Sequence, residues 1–140
     1  MGLKKTLLNL YYFSVISEEK TNHYQQIIRD TEWNSFKEYI LPESKLLDVG
    51  CGTGYNIKKA MNELNCDCTG MDPAPGEHGV CRNIKGFIEG LNIIKGFSEK
   101  ILFKDKSFDI VFSSHVLEHV NNEQKSLVEM KRVLKHDGTL

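Results

Sequence analysis

The sequence predicts an α/β fold in which a doubly wound, mostly parallel sheet follows N-terminal helices. Three observations support this prediction: an apolar run at Leu46 to Val49 ends in three alternating glycines, helical periodicity follows those glycines, and further strand-like runs end in polar residues downstream. A length of 140 residues suits one domain with its own core. We expect residues 1–43 to form a helical cap and residues 44–140 to form the sheet domain.

The cap is predicted from an aromatic-rich stripe at helical spacing across residues 20–40, which is typical of a helix that packs against a core. The stripe consists of Tyr24, Ile27, Ile28, Trp33, Phe36, Tyr39 and Ile40.

The stretch Lys45 to Gly54, K-L-L-D-V-G-C-G-T-G, predicts a buried strand that ends in a ligand-binding turn. The apolar run is too short for a helix, and the glycines let the backbone turn sharply and approach a ligand. Apolar residues at helical spacing after Gly54 predict a helix whose free N–H groups face the same crevice. Strand, glycine turn and helix together begin a nucleotide-binding βαβ unit.

The next segment, C-D-C-T-G-M-D-P, predicts a second strand that ends at Asp72. Asp72 follows the last glycine at close to the offset of about 20 residues at which an acid on the second strand reaches a ribose. One carboxylate can accept both hydroxyls of a ribose diol. The Asp72-Pro73 pair is also typical of a turn, and that alternative stays open. Pro75 and Gly76 then predict a long loop instead of an immediate helix.

The glycine spacing differs from a dinucleotide fingerprint, because Tyr55 stands where the third glycine of G-x-G-x-x-G would fall. The pattern D-x-G-x-G-x-G, from Asp48 to Gly54, resembles motif I of the class I S-adenosylmethionine-dependent methyltransferases, in particular the small-molecule type 11 subgroup. The resemblance implies a Rossmann-like core and S-adenosylmethionine as cofactor. The cofactor-binding residues that it implies are Asp48, Gly50, Cys51, Gly52, Gly54, Asp72, Pro73, Ser98, Glu99 and Ser114.

The resemblance covers Leu46 to Leu140, the cofactor half of the family's domain, with strand three at residues 92–96 and strand four at Phe108 to Phe112. The family's sheet has the order 3-2-1-4-5-7-6, so its C-terminal strands are missing from this chain. Relatives commonly place an acid that contacts adenine just before the pair aligned with Ser98-Glu99. Phe97 stands there instead, so we expect adenine to stack or to bind through Ser98 and backbone groups.

Polar residues follow strand four, where we expect Ser113-Ser114 to open a helix. His115 and His119 are four apart and would share one helical face, and a histidine is suited to act as a general base near neutral pH. The resemblance offers a second interpretation, in which His119 frames the cofactor. It also implies that the N-terminal helix covers the cofactor, which adds three candidate pocket residues: His23, Tyr24 and Trp33.

Residues 122–135 predict an amphipathic helix, and His136-Asp137-Gly138 would stop it so that strand five begins at Thr139. That ending would leave the backbone of strand four unpaired along one side. We therefore expect either that the chain is a fragment or a naturally shortened product, or that a homo-oligomer or another partner covers the sheet edge.

Composition narrows the choice of partners. The net charge of −1 at pH 7 gives no basic field for a nucleic acid, and no apolar run is long enough to span a membrane. The four cysteines are too few and too irregular for a secreted disulfide framework, so we expect a cytoplasmic protein with free thiols. No metal site is predicted, because Cys66, Cys68, His78 and Cys81 fit no standard zinc spacing.

These observations together predict a methyltransferase that transfers a methyl group from S-adenosylmethionine to a small-molecule acceptor. Two alternatives remain open. One is a catalytically inactive cofactor-binding or regulatory module, and the other is a nucleotide-dependent oxidoreductase, which Tyr55 in the glycine motif disfavours.

Overall fold

The computed structural model describes residues 18–140, which form a five-stranded, wholly parallel sheet with helices on both faces. Its helices and strands are, in chain order, α1 Glu18–Phe36, β1 Lys45–Val49, α2 Tyr55–Leu64, β2 Asp67–Asp72, β3 Ile93–Lys95, β4 Phe108–Ser113, α3 Glu123–Val133 and β5 Leu134–Thr139. The sheet order, β3-β2-β1-β4-β5, confirms the predicted doubly wound, Rossmann-like core. The first 17 positions of the predicted cap lie outside the described residues.

Strand β1 lies at the centre of the sheet, and its register decides which residues meet at one edge. Val49, its last residue, pairs with Met71 on one side and Ser113 on the other. The residues that follow these strands therefore emerge together at the carboxyl edge of the sheet, where ligands bind in folds of this kind.

Apolar side chains form a core on each face of the sheet. One core packs α1 and α2 against the sheet through Trp33, Ile40, Leu46, Ile57, Ala60, Cys66, Cys68 and Ile110. The other packs α3 through Leu47, Val49, Met71, Ile101, Phe108, Val111, Met130 and Val133. This arrangement explains why Leu46, Leu47 and Val49 of β1 are all apolar, because both faces of that strand are covered.

The aromatic stripe of α1 is only partly buried. Trp33 confirms the expected packing against the core and is not the pocket residue that the family resemblance suggested. Trp33 is 1% exposed within the core, and its Nε1 donates to Glu63 Oε2 on α2 at 2.9 Å. Tyr24 is 65% exposed, and His23 is exposed as well. Indole is large enough to fill the space between two helices and the sheet, which is why packing takes Trp33 away from the ligand edge. The boundary between cap and sheet domain stays a prediction.

The predicted end of the last helix and start of strand five are wrong. Helix α3 ends at Val133, because the backbone N–H groups of Lys106 and Ser107 donate to the carbonyls of Arg132 and Val133 at 2.9 and 2.8 Å. Those bonds tie the last helical turn to the start of β4, so the chain enters β5 at once.

As a result, β4 does not have the bare edge that the sequence suggested. Phe108 pairs with Leu134 and Ile110 with Thr139, with an irregularity between the two pairs. A homo-oligomer that covers the sheet edge stays a prediction. Within residues 18–140, no helix combines the length and hydropathy that a membrane crossing requires.

Between β2 and β3, the chain follows consecutive turns over residues 73–91, which we call the crossover segment. It contains neither a helix nor a strand, in agreement with the loop that its prolines and glycines predict. Three of its residues near β2 have left-handed backbone angles: Gly76, Gly79 and Cys81.

Candidate functional site

The glycine turn, residues 50–54, connects β1 to α2 and depends on glycine for both its conformation and its packing. Gly50 and Gly52 have φ angles of +78° and +53°, which disfavour any residue with a Cβ. A Cβ on Gly50 would lie 2.2 Å from Val116 Cγ2, and one on Gly52 would lie 3.0 Å from the carbonyl oxygen of His78. The turn therefore brings the main chain within contact distance of two other segments.

Gly54 lies at the end of the turn, against side chains near β3, and its part in cofactor binding stays a prediction. It precedes α2 with a φ of +78°, and a Cβ there would lie 2.6 Å from Leu91 Cδ1 and 3.0 Å from Ile93 Cδ1. This glycine allows close packing behind the turn and does not line the cavities described below.

Asp72, at the end of β2, places a buried carboxylate against the glycine turn. Its Oδ2 accepts a hydrogen bond from the Gly52 N–H at 2.8 Å and lies 3.2 Å from His78 Nε2. Its Oδ1 accepts from the Ala74 N–H at 2.8 Å. One carboxylate thus connects β2, the glycine turn and the crossover segment, and the whole residue is 1% exposed.

Two cavities meet at this point. The β2-side cavity, of about 210 Å³, extends past Asp72 toward Phe97, while the glycine-turn cavity, of about 270 Å³, extends past Gly52 toward Arg29 on α1. The predicted residues Asp72, Pro73, Ser98 and Glu99 line the first cavity. Asp48, Cys51, Gly52 and Ser114 line the second. Gly50, His78, His115 and His119 border both cavities.

Asp48 supplies a buried acid to the glycine-turn cavity. Burial, reinforced by the neighbouring Asp72 carboxylate, raises its pKa to about 7, and the guanidinium of Arg29 acts in the opposite direction. Near neutral pH, Asp48 can therefore be charged or uncharged according to what lies beside it.

Burial, followed by the charges of Asp48 and Asp72, raises the pKa of the Cys51 thiol well above its usual range. Cys51 is thus a thiol, not a thiolate, and it is unsuited to act as a nucleophile.

The Ser98 and Glu99 side chains are occupied by contacts within the protein. Ser98 Oγ lies 2.9 Å from Ser126 Oγ on α3, and Glu99 Oε1 accepts from the Asn121 N–H at 3.2 Å. Hydrogen bonds from backbone N–H groups lower the pKa of Glu99, so it stays ionised. These contacts fix the floor of the β2-side cavity, over which the Phe97 ring is 61% exposed.

The segment after β4 is not the α-helix that the sequence predicts. His115 has a φ of +57°, which interrupts helical geometry, and a short 3₁₀ turn follows at Leu117–His119. The side chain of Val116 takes the space left open by Gly50, and this contact holds the segment in its irregular path.

His115 and His119 consequently do not share a helical face, although both border the two cavities. The Nε2 atom of His115 lies 3.3 Å from Glu32 Oε1 on α1. Its Nδ1 atom lies 3.7 Å from Glu118 Oε1. The catalytic role of either histidine stays a prediction.

Arg29 is a site residue that sequence reasoning missed. It lies on the polar side of α1, where its Nη1 donates to Glu32 Oε2 at 2.6 Å. Its positive charge acts to lower the pKa of Asp48. No local motif surrounds Arg29, so only the packing of α1 against the sheet reveals its place beside the glycine turn. Among the described residues, no group of three or more His, Cys, Asp or Glu side chains is placed to hold a metal ion.

The fold and the glycine turn define a Rossmann-like α/β domain, and comparison with known proteins gives its family. A family model described as a methyltransferase domain, of type 11, matches residues 47–140. The chain therefore belongs to the type 11 methyltransferase domain family.

Individual relatives differ in what they act on. The chain is 28% identical over 105 residues to ajmaline N-methyltransferase of Rauvolfia serpentina, covering 71% of this chain and 36% of that protein. It is 31% identical over 122 residues to tRNA U34 carboxymethyltransferase of Saccharophagus degradans, covering 79% of this chain and 38% of that protein. The chain thus spans about a third of the length of these curated relatives.

A solved structure shows the same core. The crystal structure of the YcgJ protein of Bacillus subtilis matches with a TM-score of 0.60 at 28% identity, covering 74% of this chain and 45% of that one.

Proposed function

We propose that this chain binds S-adenosylmethionine where its two cavities meet, as the cofactor half of a methyltransferase that acts on a small molecule. The observation that carries the proposal is the buried Asp72 carboxylate, which lines the β2-side cavity and accepts a hydrogen bond from Gly52, a residue that lines the glycine-turn cavity. S-Adenosylmethionine joins an adenosine to a charged amino acid, so it needs two adjoining compartments of different character.

The β2-side cavity suits the adenosine. Phe97 offers an exposed aromatic ring on which adenine can stack. Asp72 offers carboxylate oxygens to the ribose hydroxyls. Because the Ser98 hydroxyl is bonded to Ser126, adenine recognition would depend on the aromatic ring and on backbone groups.

The glycine-turn cavity suits the amino-acid end of the cofactor. The guanidinium of Arg29 can pair with a carboxylate, and Asp48 can accept hydrogen bonds from an ammonium group. A cation beside Asp48 favours the ionised form of a carboxyl whose pKa is about 7. Gly52 also suits this end of the cofactor, because the absence of a side chain lets a ligand approach the main chain.

The reaction would rely mainly on positioning. When bound, S-adenosylmethionine supplies a methyl group on a sulfonium, which is already a good leaving group. The residues of this chain would hold both reactants in line, and such alignment can lower a barrier by about 7 to 11 kcal/mol. His115 and His119, which border both cavities, are the candidates to take a proton from the acceptor.

Calorimetric titration with S-adenosylhomocysteine and with NAD tests the cofactor assignment. We expect S-adenosylhomocysteine to bind more tightly, and tighter binding of NAD would contradict the proposal. A third ligand, 5′-methylthioadenosine, keeps the adenosine and the thioether but lacks the amino-acid end.

Arg29→Gln tests the two compartments of the site separately. We expect this change to weaken S-adenosylhomocysteine about 5- to 30-fold and to leave 5′-methylthioadenosine unaffected, because only the first ligand carries a carboxylate. Arg82→Gln is a matched control, since Arg82 does not line the glycine-turn cavity. Equal losses for both ligands would show that Arg29 acts through the fold and not through the carboxylate.

The alternative that the sequence leaves open is a cofactor-binding module without catalytic activity. A methyl-transfer assay with labelled cofactor and small amines, phenols and carboxylic acids tests it, with tRNA as a separate arm. The net charge of −1 leads us to expect no transfer to tRNA. Cofactor binding without transfer to any small acceptor would support the module.

A further inference from the structure

The Asp72 carboxylate has little room left for a ribose. A carboxylate offers about four lone-pair positions to hydrogen-bond donors. In this structure three are directed at neighbours, namely the N–H groups of Gly52 and Ala74 and the imidazole of His78. A ribose diol needs two positions if both of its hydroxyls are to bind, so one present neighbour has to leave.

His78 is the neighbour that can move. The other two donors are backbone N–H groups, and that of Gly52 belongs to a turn fixed by its close packing. The His78 side chain, by contrast, is 53% exposed, while that of Asp72 is fully buried. A rotation about its side-chain torsions would free Asp72 Oδ2 without moving the main chain.

The main chain that carries His78 is fastened at both sides of that residue. The Gly76 N–H donates to the Gly52 carbonyl at 3.0 Å, and the Thr53 hydroxyl donates to the Val80 carbonyl. The imidazole is therefore presented to Asp72 by a backbone that stays in place, and it borders both cavities.

We infer that His78 is an affinity-setting residue that caps the ribose-binding oxygen of Asp72 and is displaced when an adenosine ligand binds. The inference rests on the proposed function, which assigns the ribose to Asp72. The crossover segment then takes a direct part in cofactor selection, because a ligand must compensate for the lost contact between His78 and Asp72. A ribose with two free hydroxyls does so, since it supplies two donors in place of one.

Several other charged or titratable side chains line the two cavities that His78 borders. Besides Asp72 and Glu77, which precedes His78 in the chain, they are Arg29 on α1, Asp48 on β1, Cys51 in the glycine turn, Tyr55 on α2, Glu99 after β3, and His115 and His119 after β4. These groups stay the same when His78 alone is replaced, so a comparison of variants isolates its contribution.

The test is calorimetric titration of the full chain with S-adenosylhomocysteine at pH 7.5. We expect His78→Ala to bind about two- to fivefold more tightly than the wild type. His136→Ala is the matched control, because that side chain is 89% exposed and contacts only its neighbour Asp137 among the described residues. In the wild type, the NMR signals of the His78 ring should shift toward those of a solvent-exposed histidine on ligand binding.

Equal or weaker binding by His78→Ala would overturn the inference, as would His78 ring signals that ligand binding leaves unchanged. Those outcomes leave the proposed function standing, since the ligand still binds. Failure of every form to bind S-adenosylhomocysteine would overturn the proposed function and this inference with it.

Discussion

The glycine turn and the crossover segment lie at the same edge of the sheet and both use left-handed backbone angles, but they hold their shape for different reasons. In the glycine turn, a Cβ at Gly50 or Gly52 would meet another segment at 3.0 Å or less. In the crossover segment, Gly90 has nothing within 4 Å of the same position. The turn is fixed by close packing around it, whereas the crossover segment is ordered where it is bonded to the turn.

The largest expected effect comes from adding one methyl group to each region. Gly52→Ala should lower the free energy of unfolding by about 2 to 5 kcal/mol, because it adds backbone strain and a contact 3.0 Å from the His78 carbonyl. Gly90→Ala, at a φ of +78° with open space around it, should cost only the strain, about 1 kcal/mol. Urea denaturation measures both, and equal losses would show that packing does not distinguish the two regions.

The second prediction concerns charge on the glycine-turn side. The pKa of Asp48 in the folded protein, about 7, lies above that of an unfolded aspartate, about 3.9. Between those values the folded state binds more protons, so the free energy of unfolding falls as pH rises from about 4 to about 7 and then levels off. Asp48→Asn should remove this dependence.

We expect the stability of Asp48→Asn relative to the wild type to improve by about 2 to 4 kcal/mol between pH 4 and pH 8. Urea titrations across that range measure it, with Asp67→Asn on the exposed end of β2 as the control. A difference that stays constant with pH would mean that Asp48 is ionised in the folded protein at pH 4.

The smallest effect tests the bond between the two regions. Thr53 is 3% exposed and donates to the Val80 carbonyl, so Thr53→Val should cost about 1 to 2 kcal/mol by leaving that carbonyl without its donor. Thr31→Val, which removes an exposed bond to the Ile27 carbonyl, should cost about 0.5 kcal/mol or less.

Hydrogen exchange sharpens this test of Thr53→Val. Amides of residues 76–82 should exchange faster in the variant, while those of α2 keep their protection. Faster exchange in α2 as well would show that the glycine turn depends on the crossover segment and is not fixed by its own close packing.

The sequence predicted best those features that depend on neighbours along the chain. The strands that end at Val49 and Asp72, and the glycine turn between them, follow from apolar runs and glycine spacing, and they are confirmed. The meeting of these residues at one edge also follows, because parallel strands bring their carboxyl ends together.

Features that depend on distant contacts could not be predicted in this way. The pairing of Trp33 with Glu63 could not be predicted, although the stripe that contains Trp33 was expected to pack against a core. The backbone at His115 departs from a helix where Val116 fills the space beside Gly50. Arg29 carries no sequence signal for its place in the cavity. In each case the deciding partner is far away in the chain.

The burial of Trp33 has a consequence for how fast a ligand enters and leaves. An N-terminal helix held by a buried indole cannot swing aside as a gate without disrupting the core, and Asp30 on the same helix is also bonded to Lys59 at 2.7 Å. A ligand in the proposed site would then enter and leave on the side away from α1, by the turn at His115 or by the crossover segment. The association rate constant would be set by small motions of those turns, on a scale of nanoseconds to microseconds, and not by the slower opening of a helical lid.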